Sequence, residues 1–145
     1  MAIPDDIVGP RLGVSVAVWR EGKVLLVQRG KAPFEGAWSL PGGSVEAGET
    51  VAEAGLRELM EETGVSARLA GLATYVDAIT RTGDGAVARH FVIMVFAGFH
   101  HAGTARAAAD AADVRWVDPA DIAELDTTPN LDRAVAAARA LIGRG

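Results

Sequence analysis

Cysteine is absent from the 145 residues, which removes disulfides and thiolate metal sites from consideration. Long apolar runs are missing too: the longest, Phe91 to Ala97, falls far short of the ~20 residues a helical bilayer span needs. No block of lysine or arginine occurs, and the net charge is −5. Non-specific binding of a nucleic-acid polymer draws on clustered positive charge, so no such polymer is expected as a partner. A small anionic substrate stays open, provided cations help to hold it. The start, Met1-Ala2-Ile3-Pro4-Asp5-Asp6, lacks the basic-then-apolar layout of a secretory signal. The expectation is a cytoplasmic protein with no membrane partner. Neither an internal repeat nor a low-complexity linker interrupts the chain, although Ala105 to Ala112 is rich in alanine.

What is present is ordinary for a globular protein: 50% apolar and 23% charged residues. The length suits one domain over residues 1–145, large enough for a real core. Leu12 to Trp19 alternates, with Val14, Val16 and Val18 on one side, and reads as a strand. Glu21-Gly22 marks a turn into a hairpin partner at Val24 to Val27. A loop rich in Gly and Pro runs from Gly30 to Gly48, broken by Trp38-Ser39-Leu40. Further strands are expected at Ala67 to Ile79, His90 to Phe99 and Val114 to Val117, with a short helical turn at Pro119 to Leu125. A last helix starts from Thr128 as cap and Pro129 at its first position, with an apolar stripe of Leu131, Val135, Ala138, Leu141 and Ile142. This irregular alternation predicts an α/β (mixed α+β) fold, a mixed sheet between helices.

The best-marked element is the helix from Thr50 to Gly64. Thr50 and Glu53 have the spacing of a capping box, and Gly64 suits the left-handed residue that ends a helix. Wheel geometry places Ala52, Leu56, Leu59, Met60 and Thr63 on one side, and Arg57, Glu58, Glu61 and Glu62 on the other. Like charges three and four residues apart repel by about 0.2–0.5 kcal/mol per pair, and Arg57 can offset only one of them. A hard cation such as Mg²⁺ offsets all three and keeps positions open for water and phosphate oxygens. A solvated acidic face is the plainer reading of three glutamates alone. The preceding Pro41-Gly42-Gly43, where the backbone can approach closely, and the nearby Glu46 and Glu49 argue for more.

These residues carry a resemblance. Gly43, then Glu49 after five residues, then Arg57-Glu58-Leu59-Met60-Glu61-Glu62-Thr63-Gly64-Val65 after seven more, matches the Nudix box at every specified position. Trp38-Ser39-Leu40-Pro41-Gly42 and Arg115-Trp116-Val117 are similar to the family as well. The resemblance implies a Nudix fold, a loop-helix-loop catalytic motif and hydrolysis of nucleoside diphosphates linked to another group. Carried over by position, it makes Glu58, Glu61, Glu62 and the Gly42 carbonyl ligands of Mg²⁺, with Mn²⁺ as a possible substitute. It makes Arg57 the residue that orients the carboxylates, Glu49 an anchor of the loop, and Glu61 a candidate for positioning water. Arg29 and Asp113 are candidates for the substrate side, and Asp110 and Asp113 are the candidates for the acidic later-loop residue that acts as base or extra ligand in some relatives. His90, His100-His101 and Trp38 read more simply as structural residues.

Among substrates, the layout resembles compact bacterial ADP-ribose pyrophosphatases, so ADP-ribose or a related nucleotide sugar is the first expectation. The proline that some such enzymes place beyond the box is not found; the region reads Val76-Asp77-Ala78-Ile79-Thr80. The motif of NADH-cleaving members is absent too. Pyrophosphate release from nucleoside triphosphates stands second, and messenger-RNA decapping lags for want of a basic surface. The rival of another class is a Nudix-fold ligand sensor without catalysis, against which all box glutamates are retained. Related proteins often pair, which admits a homodimer. Base or sugar selectivity is expected from segments such as Thr74 to Arg89.

Overall fold

Strand β1 (Arg11–Arg20) is the middle of the molecule because both of its faces are apolar. Val14, Val16 and Val18 are buried on one, Ala17 and Trp19 on the other. The computed structural model describes residues 9–143; the amino-terminal run read above for a leader lies outside them. The other strands are β2 (Lys23–Arg29), β3 (Trp38–Ser39), β4 (Gly42–Ser44), β5 (Ser66–Arg81), β6 (Val87–Ala102) and β7 (Ala111–Val117). They form one seven-stranded sheet of order β3-β2-β1-β6-β5, with β4 also on β1 and β7 on β2. Only β1 and β6 run parallel, so the sheet is mixed, as expected.

Glu21 and Gly22 do make the turn after β1, both at positive φ (51° and 80°), as a tight hairpin turn demands. The hairpin itself is brief. Only Trp19↔Val24 and Arg20↔Lys23 pair; β2 then leaves with β7 and β3, and β4 takes the place beside Gly13–Ser15. That fork brings the glycines of the loop to the centre of the sheet. Strand β4, three residues with no apolar side chain, escaped the sequence reading because its pairing comes entirely from β1.

Helix α1 (Val51–Thr63) has both halves of the expected capping box at Thr50 and Glu53, and Gly64 ends it at φ 72°. Replacing Thr50 by alanine should lower the melting temperature by roughly 2–5 °C, read by circular dichroism. Glu53 is held below its ordinary value, first by the Thr50 hydroxyl hydrogen bond. Its stabilising share is therefore present at neutral pH and is lost on acidification below the ordinary carboxylate range.

The buried stripe of α1 is Ala54, Gly55, Leu59 and Thr63; Leu59 and Thr63 are inside as expected, the rest of the expected stripe is not. Leu56 and Met60 are exposed, and Ala52 is only partly covered. The helix is rotated because Gly55 lets it settle on Val14 and Val16, whose methyl groups would stand 3.2 and 3.0 Å from a Cβ there. Thr63 is buried yet satisfied: its hydroxyl donates to the Leu59 carbonyl at 2.7 Å and accepts from Val65 N–H at 3.2 Å.

A 3-10 turn at Pro119–Glu124 leads to α2 (Leu131–Ile142). Thr128 does not cap α2; Asn130, left-handed at φ 69°, stands in the cap position without a side-chain bond, so the helix begins two residues later than expected. Its buried stripe is Leu131, Ala134, Val135 and Ala138, while Leu141 remains 38% exposed. α2 closes a core with Ala17, Trp19, Leu26, Val95 and Ala97 on one sheet face. α1 closes the other through Leu59 on Val16 and Val18. Among the described residues no helix is long and apolar enough to cross a membrane.

Candidate active site

The site forms where β4 meets α1. Gly43 lies so close to the helix that a Cβ on it would stand 2.5–2.7 Å from the Glu58 carboxylate. Gly42 donates its N–H to Glu62 Oε1 at 3.3 Å. Two glycines thus let two glutamates one turn apart press against a strand, which no larger residue would permit.

Arg57 is the hub on the outer flank. It grips Glu49 with Nε at 2.7 Å and Nη2 at 3.0 Å, and Glu58 and Glu61 with Nη1 at 2.9 and 3.2 Å. Nη2 also donates to the Ser44 carbonyl at 3.0 Å. The guanidinium pKa is pushed up further, first by the Glu49 bond. Glu49 is lowered in turn by Arg57 and by the Glu46 N–H it accepts at 2.9 Å. This fork ties the loop to the helix, the place the sequence assigned to Glu49 and Arg57.

Glu62 has no such cation. Burial is the main influence raising its pKa, and the charge of Glu58 adds to it; together they push it up to about 8, against the Gly42 N–H and the more distant Arg29. Two carboxylates in contact, one of them sheltered from water, are a strong demand for positive charge.

Glu58 and Glu62 open onto a cleft of about 580 Å³, within the range that holds a nucleotide-sized molecule. Arg29 lines it, with Nε donating to the Pro33 carbonyl at 2.6 Å. Asp110 lines it too, paired with Lys31 at 2.8 Å. Asp113 does not: its carboxylate accepts from Val114 N–H and stands outside the lining. Glu61, with a side chain 52% exposed, is turned to Arg57 and is also outside it. Among the described residues no three acidic or histidine side chains are gathered as a ready ligand set.

The structural readings are supported by contacts. Trp38 is buried, with the Arg115 guanidinium 4.8 Å over its ring. His100 bonds the Gly103 carbonyl through Nε2 at 2.7 Å and meets Trp116 edge-on. His90 pairs with Ile79 and is not itself among the residues that line the cleft. The sequence reading missed Lys31, Phe34 and Asn130 as lining residues. Phe34 and Asn130 hold positive φ (60° and 69°), which periodicity does not reveal. The segment expected to govern selectivity does contribute a wall, Val76–Thr80 with Arg89.

Comparisons agree with this geometry. A family model described as "NUDIX domain" matches residues 9–138. The chain is 35% identical over 109 residues to an ADP-ribose pyrophosphatase of Methanocaldococcus jannaschii, covering 75% of this chain and 62% of that protein. It is similar to the crystal structure of a MutT NUDIX hydrolase from Burkholderia pseudomallei, with TM-score 0.76 and 28% identity over 90% of this chain and 98% of the other. The NUDIX domain of Shewanella oneidensis NrtR, solved with ADP ribose, shares the fold at TM-score 0.77 and 24% identity, covering 97% and 94% of the two chains. With the box at the junction of β4 and α1, and the family model spanning nearly all of its length, this chain belongs to the Nudix hydrolase family.

Proposed function

We propose that this protein hydrolyses the diphosphate linkage of a nucleoside diphosphate derivative, with ADP-ribose or a related nucleotide sugar as the first substrate. The observation that carries the reading is the sheltered Glu58–Glu62 pair at the cleft, whose repulsion a divalent cation relieves. Hard oxygen donors beside a glycine turn fit Mg²⁺, or Mn²⁺ in its place. Glu58, Glu62 and the Gly42 carbonyl would hold it, with Glu61 joining from its bond to Arg57. Such an ion, when bound, neutralises diphosphate charge and lowers the pKa of a water molecule. The chain's own residues do the rest. Arg57 and Glu49 hold the loop and helix in register, and Arg29 faces the anionic substrate. Glu61, bonded to Arg57 outside the cleft lining, would turn inwards to position the attacking water. The name of the Methanocaldococcus relative supports the substrate class.

Lys31 and Arg29 on one cleft wall favour a second reading, nucleoside triphosphates cleaved with release of pyrophosphate. One experiment separates them: incubation with Mg²⁺ and ADP-ribose, dinucleotides or nucleoside triphosphates, with products read by mass spectrometry. AMP and ribose phosphate from ADP-ribose, abolished by chelator, is the expected result. Monophosphate and pyrophosphate from triphosphates alone would favour the second reading. Binding without turnover of any substrate would point to a sensor.

A further inference from the structure

Two aromatic rings line the cleft among the described residues, Phe34 and Phe91. They differ in what already lies on them. Arg11 and Arg89 hold their guanidiniums 5.8 and 5.5 Å from the centroid of the Phe91 ring, so the chain's own cations engage it. Phe34 has no such partner among the described residues and is 46% exposed. It also holds φ 60°, a left-handed backbone that a bulky side chain adopts only at a cost. Its loop keeps it there. Gly36 N–H donates to the Arg29 carbonyl at 2.8 Å, Ala37 N–H to that of Phe34 at 3.0 Å, and Gln28 Nε2 to that of Gly36 at 3.1 Å. Arg29, read above as facing the anion, donates from Nε to the Pro33 carbonyl at 2.6 Å, one residue before the ring. One short bond thus ties the cation to the segment that carries the exposed ring. Backbone strain held by its surroundings in a cleft is the kind that serves a ligand.

Asn130 repeats the pattern. An asparagine in the cap position of a helix normally spends its side-chain oxygen on the first N–H groups. Here the residue stands at φ 69° and makes no such bond. Its carboxamide is left at the exposed rim of the cleft with donor and acceptor both available. Phe34, Thr128, Pro129 and Asn130 line a groove beside α2 as well as the cleft. The ring and the carboxamide therefore stand at the mouth, where the cleft opens outwards, and Glu58 and Glu62 lie within it.

We propose that this mouth is the nucleobase subsite, in which Phe34 stacks on the base and the Asn130 carboxamide reads its edge, with adenine as the base that fits. An exposed aromatic face suits any base, so the ring gives affinity and the amide gives choice. A carboxamide pairs bidentately with the adjacent donor and acceptor of adenine, where guanine presents two acceptors. The inference rests on the diphosphatase reading, which places the phosphates at Glu58 and Glu62. Calorimetric titration of the full chain with Mg²⁺ and AMP, GMP or ribose 5-phosphate tests it without turnover. The parent should bind AMP at least about tenfold more tightly than ribose 5-phosphate and about fivefold more tightly than GMP. Phe34→Gly suits the left-handed backbone, so it should keep the melting temperature while weakening AMP at least about tenfold. Its affinity for ribose 5-phosphate should not move, and Phe34→Tyr should bind AMP as the parent does. Asn130→Asp should erase the preference for AMP over GMP. A parent that binds AMP no better than ribose 5-phosphate, or a Phe34→Gly variant that binds AMP as the parent does, overturns the subsite even if ADP-ribose is cleaved. A parent that selects AMP in this way but cleaves no diphosphate overturns the diphosphatase reading and keeps the subsite.

Discussion

Replacing Glu62 by glutamine should stabilise the metal-free protein at neutral and alkaline pH while lowering turnover at least about 100-fold. The reason is the sheltered carboxyl beside Glu58, pushed up to about 8 in the folded chain from the ordinary 4.5. Below the ordinary value both folded and unfolded forms are protonated, and the group costs nothing. As pH rises the unfolded chain ionises first, so stability is lost through the window from about 4.5 to about 8 and then levels off. At the upper end the loss is on the order of a few kcal/mol. Glutamine keeps the shape and an oxygen for the Gly42 N–H, without the charge. The difference in melting temperature between variant and parent should be near zero only at and below about pH 4.5 and widen up to about pH 8. Magnesium should raise the parent's melting temperature and leave the variant's nearly unchanged. A difference that does not move with pH would show that burial imposes no such cost on Glu62.

Alanine at the two adjacent glycines should give opposite signatures. At Gly43 the new methyl meets the end of the Glu58 side chain at 2.5–2.7 Å. A side chain can swing away, so the fold should survive with a loss within about 1–2 kcal/mol. Activity should nevertheless drop at least about 100-fold, because Glu58 leaves the position beside Glu62. At Gly42 the methyl runs into the Val14 carbonyl and stands 2.9 Å from Ser15 Cα, both backbone. Neither can yield without lifting β4 off β1, so a loss of about 2–4 kcal/mol is expected. Thermal melts and kcat/KM measured side by side on both variants decide the matter. A fully active Gly43→Ala protein would mean that the Glu58 position is not needed for the reaction.

The fork of Arg57 shows how far local spacing reaches. Glu58 and Glu61 lie one and four residues from Arg57, and Glu49 stands in the turn just before the helix cap, so their meeting follows from helix geometry and the sequence alone anticipates it. The same geometry says nothing of how far the helix is turned about its axis. That is why Leu56 and Met60 were expected inside and are found outside. Asp110, in the turn before β7, and Asp113, on that strand, show the same limit. Two aspartates three residues apart point differently only once the pairing of β7 with β2 is known, and one reaches the cleft wall while the other caps its own neighbour.

The sequence by itself determined the helix of the Nudix box, its caps, the glycine pair before it, the mixed α/β class and the family, because each rests on contacts between residues close along the chain. Only the tertiary structure decided which face of α1 is buried, that β4 takes the place beside β1 where β2 has left it, and which loop residues line the cleft. Those outcomes depend on strands roughly 30 to 90 residues apart meeting in one register, and neither local propensity nor periodicity carries that information.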